Sequence, residues 1–256
     1  MRPLEGSHAL ITGGGTGIGA AIARALAGAG AAISIAGRRQ GPLDAMVATL
    51  PGTAAIVADV TQEADCAAMV EAARKAHGPI DIVIANAGMA DSAPLARIDM
   101  AHWQRMLDIN LTGSFLTVRA ALPDIVRKDA AGHGRIVFVA STAALKGYAY
   151  VAAYCAAKHG VLGLARALAL ELAPKGVTVN AVCPGYTDTP MLAASIAKIT
   201  AKTGMSAEAA RAELASDNDD GDLITPEEVA DKVLWLCLPQ SGAVSGEAIT
   251  FSRGAT

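Results

Sequence analysis

Aromatic residues are scarce in this chain, at 4%, and its charge is thin and nearly balanced: 21 Lys and Arg against 24 Asp and Glu, a net of −3. Without a basic surplus, nucleic acid is not expected as a partner, because phosphate backbones are held by clustered cations. The densest basic runs are only Arg38-Arg39 and Arg127-Lys128. The four cysteines (Cys66, Cys155, Cys183 and Cys237) include no C-x-x-C pair, so neither a zinc site nor a disulfide framework is expected, and free thiols suit a reducing cytoplasm. The longest apolar stretch, around Val161 to Ala173, is interrupted by Arg166 and Glu171, so no segment reads as a membrane span. Met1 to His8 is polar and runs straight into a strand, unlike a signal peptide.

What is abundant is Ala, Val, Ile and Leu, within a hydrophobic content of 52% over 256 residues. Short apolar runs alternate with longer helical patterns. Strands are read at His8 to Thr12, Ala31 to Ala36, Ala54 to Ala58, Ile80 to Ala85, Arg135 to Ala140, Val177 to Val182 and Glu247 to Phe251. Helices are read near Ile18 to Ala29, Pro42 to Thr49, Glu63 to His77, Ala101 to Arg127, Ala152 to Leu172 and Pro226 to Leu238. This alternation predicts an α/β Rossmann fold, a doubly wound parallel sheet of seven strands with helices on both faces. No composition shift divides it, so residues 1–256 are expected to form one domain. Thr189 to Asp222 break the rhythm, with helical patterns at Met191 to Lys202 and Ala207 to Leu214. An insertion there sits where open α/β sheets bind ligands, and reads as a substrate lid.

The first strand runs into Thr12-Gly13-Gly14-Gly15-Thr16-Gly17-Ile18-Gly19 and then a helix. Glycines in that context bring backbone N–H groups up to a pyrophosphate at a helix N-terminus. The second strand ends in Gly37-Arg38-Arg39, where NAD-binding chains place an acid for the ribose hydroxyls. A guanidinium suits a 2′-phosphate instead, so NADP(H) is expected, with NAD(H) as the alternative if Arg38 only stacks on adenine or faces water. Asp59-Val60 closes the third strand. Its carboxylate reads either as an acceptor for the adenine amino group or as a helix N-cap, with Thr61 competing for that place. Asn86-Ala87-Gly88 closes the fourth strand with small residues that let backbone lie against the cofactor.

Tyr154-Cys155-Ala156-Ala157-Lys158 puts a phenol and an ammonium one helical turn apart. The cation is expected to favour the phenolate and lower its pKa, and also to hold the nicotinamide ribose. Ser141 ends the fifth strand, placed to hydrogen-bond a substrate oxygen or simply to cap a turn. Asn110, within Asp108-Ile109-Asn110-Leu111-Thr112, is a polar amide inside a helix, read as holding a relay water or as a satisfied core residue.

Together, Thr12 to Gly19, Asp59, Asn86-Ala87-Gly88, Asn110, Ser141, Tyr154, Lys158 and Pro184-Gly185-Tyr186-Thr187-Asp188-Thr189 resemble the short-chain dehydrogenase/reductase family, in its single-domain branch and over nearly the full length. Within it the chain resembles 3-oxoacyl-thioester reductases and polyketide-type ketoreductases, with an aryl or alicyclic secondary alcohol as the alternative substrate. The resemblance implies a Ser–Tyr–Lys mechanism with an asparagine-bound water. It also implies that Pro184 and Gly185 lie in the cofactor site and that Thr187 and Thr189 contact the nicotinamide carboxamide. Two departures are Ala85 before Asn86, where the family often has asparagine, and a C-terminus, Phe251 to Thr256, without the usual Asp-Gly-Gly.

Ser216 to Gly221 with Glu227 nearly fits a calcium loop, but Thr225-Pro226-Glu227-Glu228 reads better as a capped helix start and the acidic run as a solvated loop. The Tyr154 helix is apolar around most of its circumference, which predicts a second subunit on its outer side, in a homodimer or homotetramer. Of rival classes, a non-catalytic dinucleotide-binding regulator would have no need of the Asn110, Ser141, Tyr154 and Lys158 set.

Overall fold

A computed structural model of the chain describes residues 2–127 and 134–251. Seven parallel strands form one sheet in the order β3-β2-β1-β4-β5-β6-β7. They are β1 (His8–Thr12), β2 (Ala32–Gly37), β3 (Ala54–Val57), β4 (Ile82–Ala85), β5 (Arg135–Val139), β6 (Thr178–Cys183) and β7 (Ala248–Thr250). This is the doubly wound Rossmann architecture expected. The strand order reverses between β1 and β4, where Ala9, Leu10 and Ile11 pair with Ile82, Val83 and Ile84. Ligands bind at such switch points, outside the carboxyl ends of the strands.

Strand alternation feeds two cores. In β1, Leu10 joins the core that holds Phe138, Val161 and Leu172, while Ala9 and Ile11 join the one holding Ile22, Leu26 and Val233. The first core lies under α3 (Glu63–His77), α5 (Gly113–Ile125) and α6 (Ala152–Leu172); the second lies under α1 (Gly17–Gly28), α2 (Gln40–Thr49) and α9 (Pro226–Cys237). The α9 start carries the expected capping box: Thr225 accepts from the Glu228 N–H, and the Glu228 carboxylate accepts from the Thr225 N–H at 2.7 Å.

One helix departs from expectation. Ala101 to Arg127 is not continuous. It comprises α4 (Met100–Leu107), a π-helical turn at Asp108–Thr112, and α5. Asn110 sits in that wider turn, a feature that periodicity in sequence does not reveal and that often marks functional sites. The excursion after β6 forms α7 (Pro190–Thr203) and α8 (Ala207–Ala215), close to the predicted bounds. Its apolar packing is thin: α7 fully buries only Leu192, and α8 only Ala210 and Ala215. Of the C-terminal departure, Ser252 to Thr256 lie outside the described residues.

Candidate active site

The glycine loop is shaped by close backbone approach. Gly13 has φ +67°, a left-handed conformation that costs a side-chain-bearing residue energy. A Cβ on Gly19 would lie 2.6 Å from Asn86 Nδ2 and against the Gly13 carbonyl. The loop is also braced from β4. The Thr12 hydroxyl accepts from the N–H groups of Asn86 and Ala87, both at 3.1 Å, and Asn86 Nδ2 donates to the Thr12 carbonyl at 2.8 Å. Thr12 heads the glycine run, but nothing in the sequence marks its hydroxyl as this brace, and Asn86 acts through its side chain rather than by being small. Thr16 caps α1 in an extended conformation without a side-chain cap hydrogen bond. The first N–H groups of α1 are thus open to an anion. Gly15 lies beside Pro42, and Gly17 beside Thr189; Ile18 packs on the core beneath α1.

A cavity of about 520 Å³ lies alongside, lined by Arg38, Asp59, Thr61, Gln104, Arg105 and Ile109 among others. Arg38 is 62% exposed and its Nη1 is 3.9 Å from Asp59 Oδ2. No acid follows β2, so the guanidinium is available to a phosphate. Arg39 instead occupies the N-cap position of α2, exposed, and does not line this cavity. Neither Asp59 nor Thr61 caps α3. That position belongs to Gln62, and Asp59 Oδ1 accepts from the N–H and hydroxyl of Thr61 at 3.0 and 2.9 Å, a local turn that leaves Oδ2 toward Arg38. Val60 is buried in the core. The open glycine cradle, uncapped helix start and arginine-lined cavity fit a dinucleotide.

At the β5 end, Ser141 caps a short turn, accepting from the Ala143 N–H at 3.1 Å, and lies close enough to Tyr154 to draw its pKa down. Lys158 is buried and donates to the Val139 carbonyl at 2.8 Å, its Nζ 5.7 Å from the centre of the Tyr154 ring. Ser141, Tyr154 and Lys158 are therefore brought together. The expected lowering of the Tyr154 pKa is corrected. Burial pushes it up to about 12, and the Ser141 hydrogen bond only opposes this. Burial also pulls Lys158 down to about 8. The ammonium stands off the ring and spends a hydrogen bond on Val139, so desolvation outweighs its field at the phenol.

Asn110 is fully buried, and its amide is occupied by backbone. Oδ1 accepts from Met89 N–H at 3.2 Å, and Nδ2 donates to the carbonyls of Met89 and Met106, each at 3.0 Å. The amide is thus the satisfied core residue of the two readings, and it holds the start of the 88–94 strap. The root of that strap, Gly88, lies between Asn110 Oδ1 and Lys158 Nζ.

After β6, the Pro184 carbonyl accepts from the Thr142 N–H at 2.9 Å. Thr187 donates to the Gly185 carbonyl at 3.1 Å, and Thr189 caps α7 by accepting from Leu192 N–H at 3.3 Å. Tyr148 and Tyr186 meet edge to face at 6.4 Å. The acidic run is not wholly solvated: Asn218 is buried, donating to the Tyr186 and Asp222 carbonyls and accepting from the Tyr186 N–H. It closes the excursion back onto the turn after β6, a role no local signal announces. The four cysteines are free and buried.

With this geometry in view, comparison with known proteins is decisive. The family model for short chain dehydrogenase matches residues 7–200. The chain belongs to the short-chain dehydrogenase family. This dehydrogenase is 39% identical to cis-4-hydroxycyclohexanecarboxylate dehydrogenase of Sinomonas cyclohexanicum, over 97% of the chain and 96% of the relative. It is 37% identical to D-beta-hydroxybutyrate dehydrogenase of Cupriavidus necator, over 98% and 95% respectively. Among solved structures, actinorhodin polyketide ketoreductase with NADPH superposes with a TM-score of 0.91 at 34% identity, over 97% of this chain and 96% of that one. Among the described residues, no helix of this dehydrogenase is long and apolar enough to cross a membrane.

The cradle makes a direct prediction. Gly19→Ala forces its methyl group into the Asn86–Gly13 contact and should lower stability by about 1–3 kcal/mol. Dinucleotide binding should weaken more than tenfold. Urea denaturation and titration of NADPH fluorescence check the two effects.

Proposed function

We propose that the chain is an NADP(H)-dependent oxidoreductase that interconverts a ketone and a secondary alcohol, of the 3-oxoacyl/3-hydroxyacyl type. The observation that carries this reading is the grouping of Ser141, Tyr154 and buried Lys158 at the carboxyl edge of the sheet, beside the glycine cradle. The NADPH of the ketoreductase structure and the β-hydroxy acid named for the Cupriavidus relative support it. Gly13, Gly15, Thr16, Gly17, Ile18 and Gly19 would hold the pyrophosphate, Arg38 the 2′-phosphate and Asp59 the adenine; Arg39, at the α2 N-cap, and Val60, in the core, do not line that cavity. Asn86, Ala87, Gly88, Pro184, Gly185, Thr187 and Thr189 would flank the nicotinamide end. The bound nicotinamide supplies or accepts the hydride.

Tyr154 exchanges a proton with the substrate oxygen, and Ser141 hydrogen-bonds that oxygen and holds the phenol in line. Lys158 places a positive charge beneath both and would hold the ribose. Asn110 fixes the strap beside Lys158, its amide being occupied by Met89 and Met106. Residues 189–222 act as a substrate lid on a single domain. A second reading takes an alicyclic secondary alcohol with NAD(H), favoured by the 39% identity to the hydroxycyclohexanecarboxylate enzyme. Four free thiols suit the cytoplasm.

Absorbance at 340 nm, with NADPH and NADH offered separately against 3-oxoacyl thioesters, cyclic ketones and aryl ketones, tests both readings. Faster oxidation of NADPH with an oxoacyl substrate upholds the first. Preference for NADH with a cyclic ketone installs the second. No turnover with any pair, despite cofactor binding, returns the chain to the non-catalytic class. Tyr154→Phe should reduce turnover by about 10²–10⁴-fold.

The protonation states predict the pH profile of reduction. Tyr154, held near 12, stays a proton donor throughout the working range, whereas Lys158, near 8, loses its charge as pH rises. Reduction should therefore fall on the alkaline side with an apparent pKa of about 8. A profile flat to pH 10 would remove Lys158 from this role.

The assembly follows from α6. One face is buried through Ala153, Ala157, Val161 and Ala165. The other exposes Ala156, Gly163, Ala167 and Leu170, the last at 81%. A second subunit closes on this face, giving a homodimer or homotetramer. Sedimentation at micromolar concentration should show no monomer boundary, and a monomer there would sink the assignment.

A further inference from the structure

The strap from Gly88 to Pro94 borders the candidate active site and carries a charged group that the chemistry above leaves unused. Its root is held by Asn110 at Met89, and its far end by Ala93 N–H donating to the Tyr150 carbonyl at 2.8 Å. Tyr150, four residues before Tyr154, has φ +66° and is the one non-glycine residue with positive φ among those described. For an aromatic residue this backbone is strained, and such strain persists only where neighbours enforce it.

At the crown of the strap, Asp91 Oδ1 accepts from Lys198 Nζ of α7 at 2.7 Å, across 107 residues of chain, and from its neighbour Ser92 N–H at 3.0 Å. Oδ2 faces Arg105 Nη2 at 3.6 Å and His102 Nδ1 at 3.9 Å, both from α4. The carboxylate is only 21% exposed and is surrounded by cations from two helices. Helix α7 has little else to hold it, having one fully buried apolar side chain. A segment with so few buried contacts opens readily, so its docked position depends on its polar ties. The bidentate Arg211–Asp188 pair and the Asn218 hydrogen bonds fasten the later part of the excursion to its own base. The Lys198–Asp91 pair fastens α7 to the strap.

We propose that Asp91 is a positioning and specificity-determining residue: through Lys198 it clasps the lid to the strap and sets how tightly the cleft closes on a short ketone or alcohol. This rests on the lid reading given under Proposed function. The clasp acts through placement, so loosening it should weaken capture of a small substrate, which has few contacts of its own, more than capture of a longer one. A part-exposed charged pair of this kind is worth a factor of about two to five in an equilibrium.

The test compares wild type with Lys198→Gln, Asp91→Asn, the double variant and Asp91→Glu, using cyclohexanone and a 3-oxoacyl N-acetylcysteamine thioester. Lys198→Gln should raise KM for cyclohexanone about two- to fivefold with kcat nearly unchanged, and should raise kcat/KM for the thioester relative to cyclohexanone. The double variant should be no worse than Asp91→Asn alone, and Asp91→Glu should restore the wild-type ratio. Hydrogen exchange across residues 190–203 of the full-length protein, which needs no turnover, should be faster in Lys198→Gln than in wild type. An unchanged substrate ratio, additive effects in the double variant, or unchanged exchange in α7 would each overturn the clasp. If no ketone is turned over, the function reading fails separately, and hydrogen exchange still decides the clasp.

Discussion

The Thr12 hydroxyl and the Asn86 amide fasten the ends of β1 and β4 at the point where the strand order reverses. On one side of this junction the chain turns into the glycine loop, and on the other it continues into the strap that passes Asn110 and Lys158. Both sides need the two strand ends to part by a fixed amount. Four hydrogen bonds, between part-buried groups, set that separation, and leaving any one group unpaired there would cost more than its bond contributes. The glycine loop and the root of the strap are thus positioned by the same few hydrogen bonds.

Burial governs the chemistry as much as geometry does. The phenol and the ammonium lie in the same poorly solvated corner, and each is driven toward its neutral form: Tyr154 upward, Lys158 downward. Near neutral pH the pair is therefore a protonated phenol beside a cation, the state that the proposed reduction calls for. The nearby Ser141 hydroxyl offsets part of the desolvation at the phenol.

The excursion after β6 is built differently from the rest. The sheet and its six covering helices are held by apolar packing on two faces. Helices α7 and α8 bury few apolar side chains and are held by caps, ion pairs and Asn218. Polar ties of this sort fix position while leaving the segment free to separate at small cost, which suits an element that admits and covers a substrate.

Much of this was legible in the residues themselves. Alternating apolar runs defined all seven strands to within two residues, since a parallel sheet covered on both faces demands apolar runs of that kind. The glycine run, Arg38 without an acid, and Tyr154 one turn before Lys158 carried the cofactor and proton-transfer readings, because each depends on local spacing. Tertiary structure decided what depends on partners distant in the chain. The π turn around Asn110, the occupation of its amide by Met89 and Met106, the direction of the Tyr154 and Lys158 shifts, the burial of Asn218, and the Asp91–Lys198 pair all arise from groups brought together by the sheet. Local sequence sets backbone preference and hydrophobic period, whereas desolvation and long-range hydrogen bonding exist only once the chain has folded.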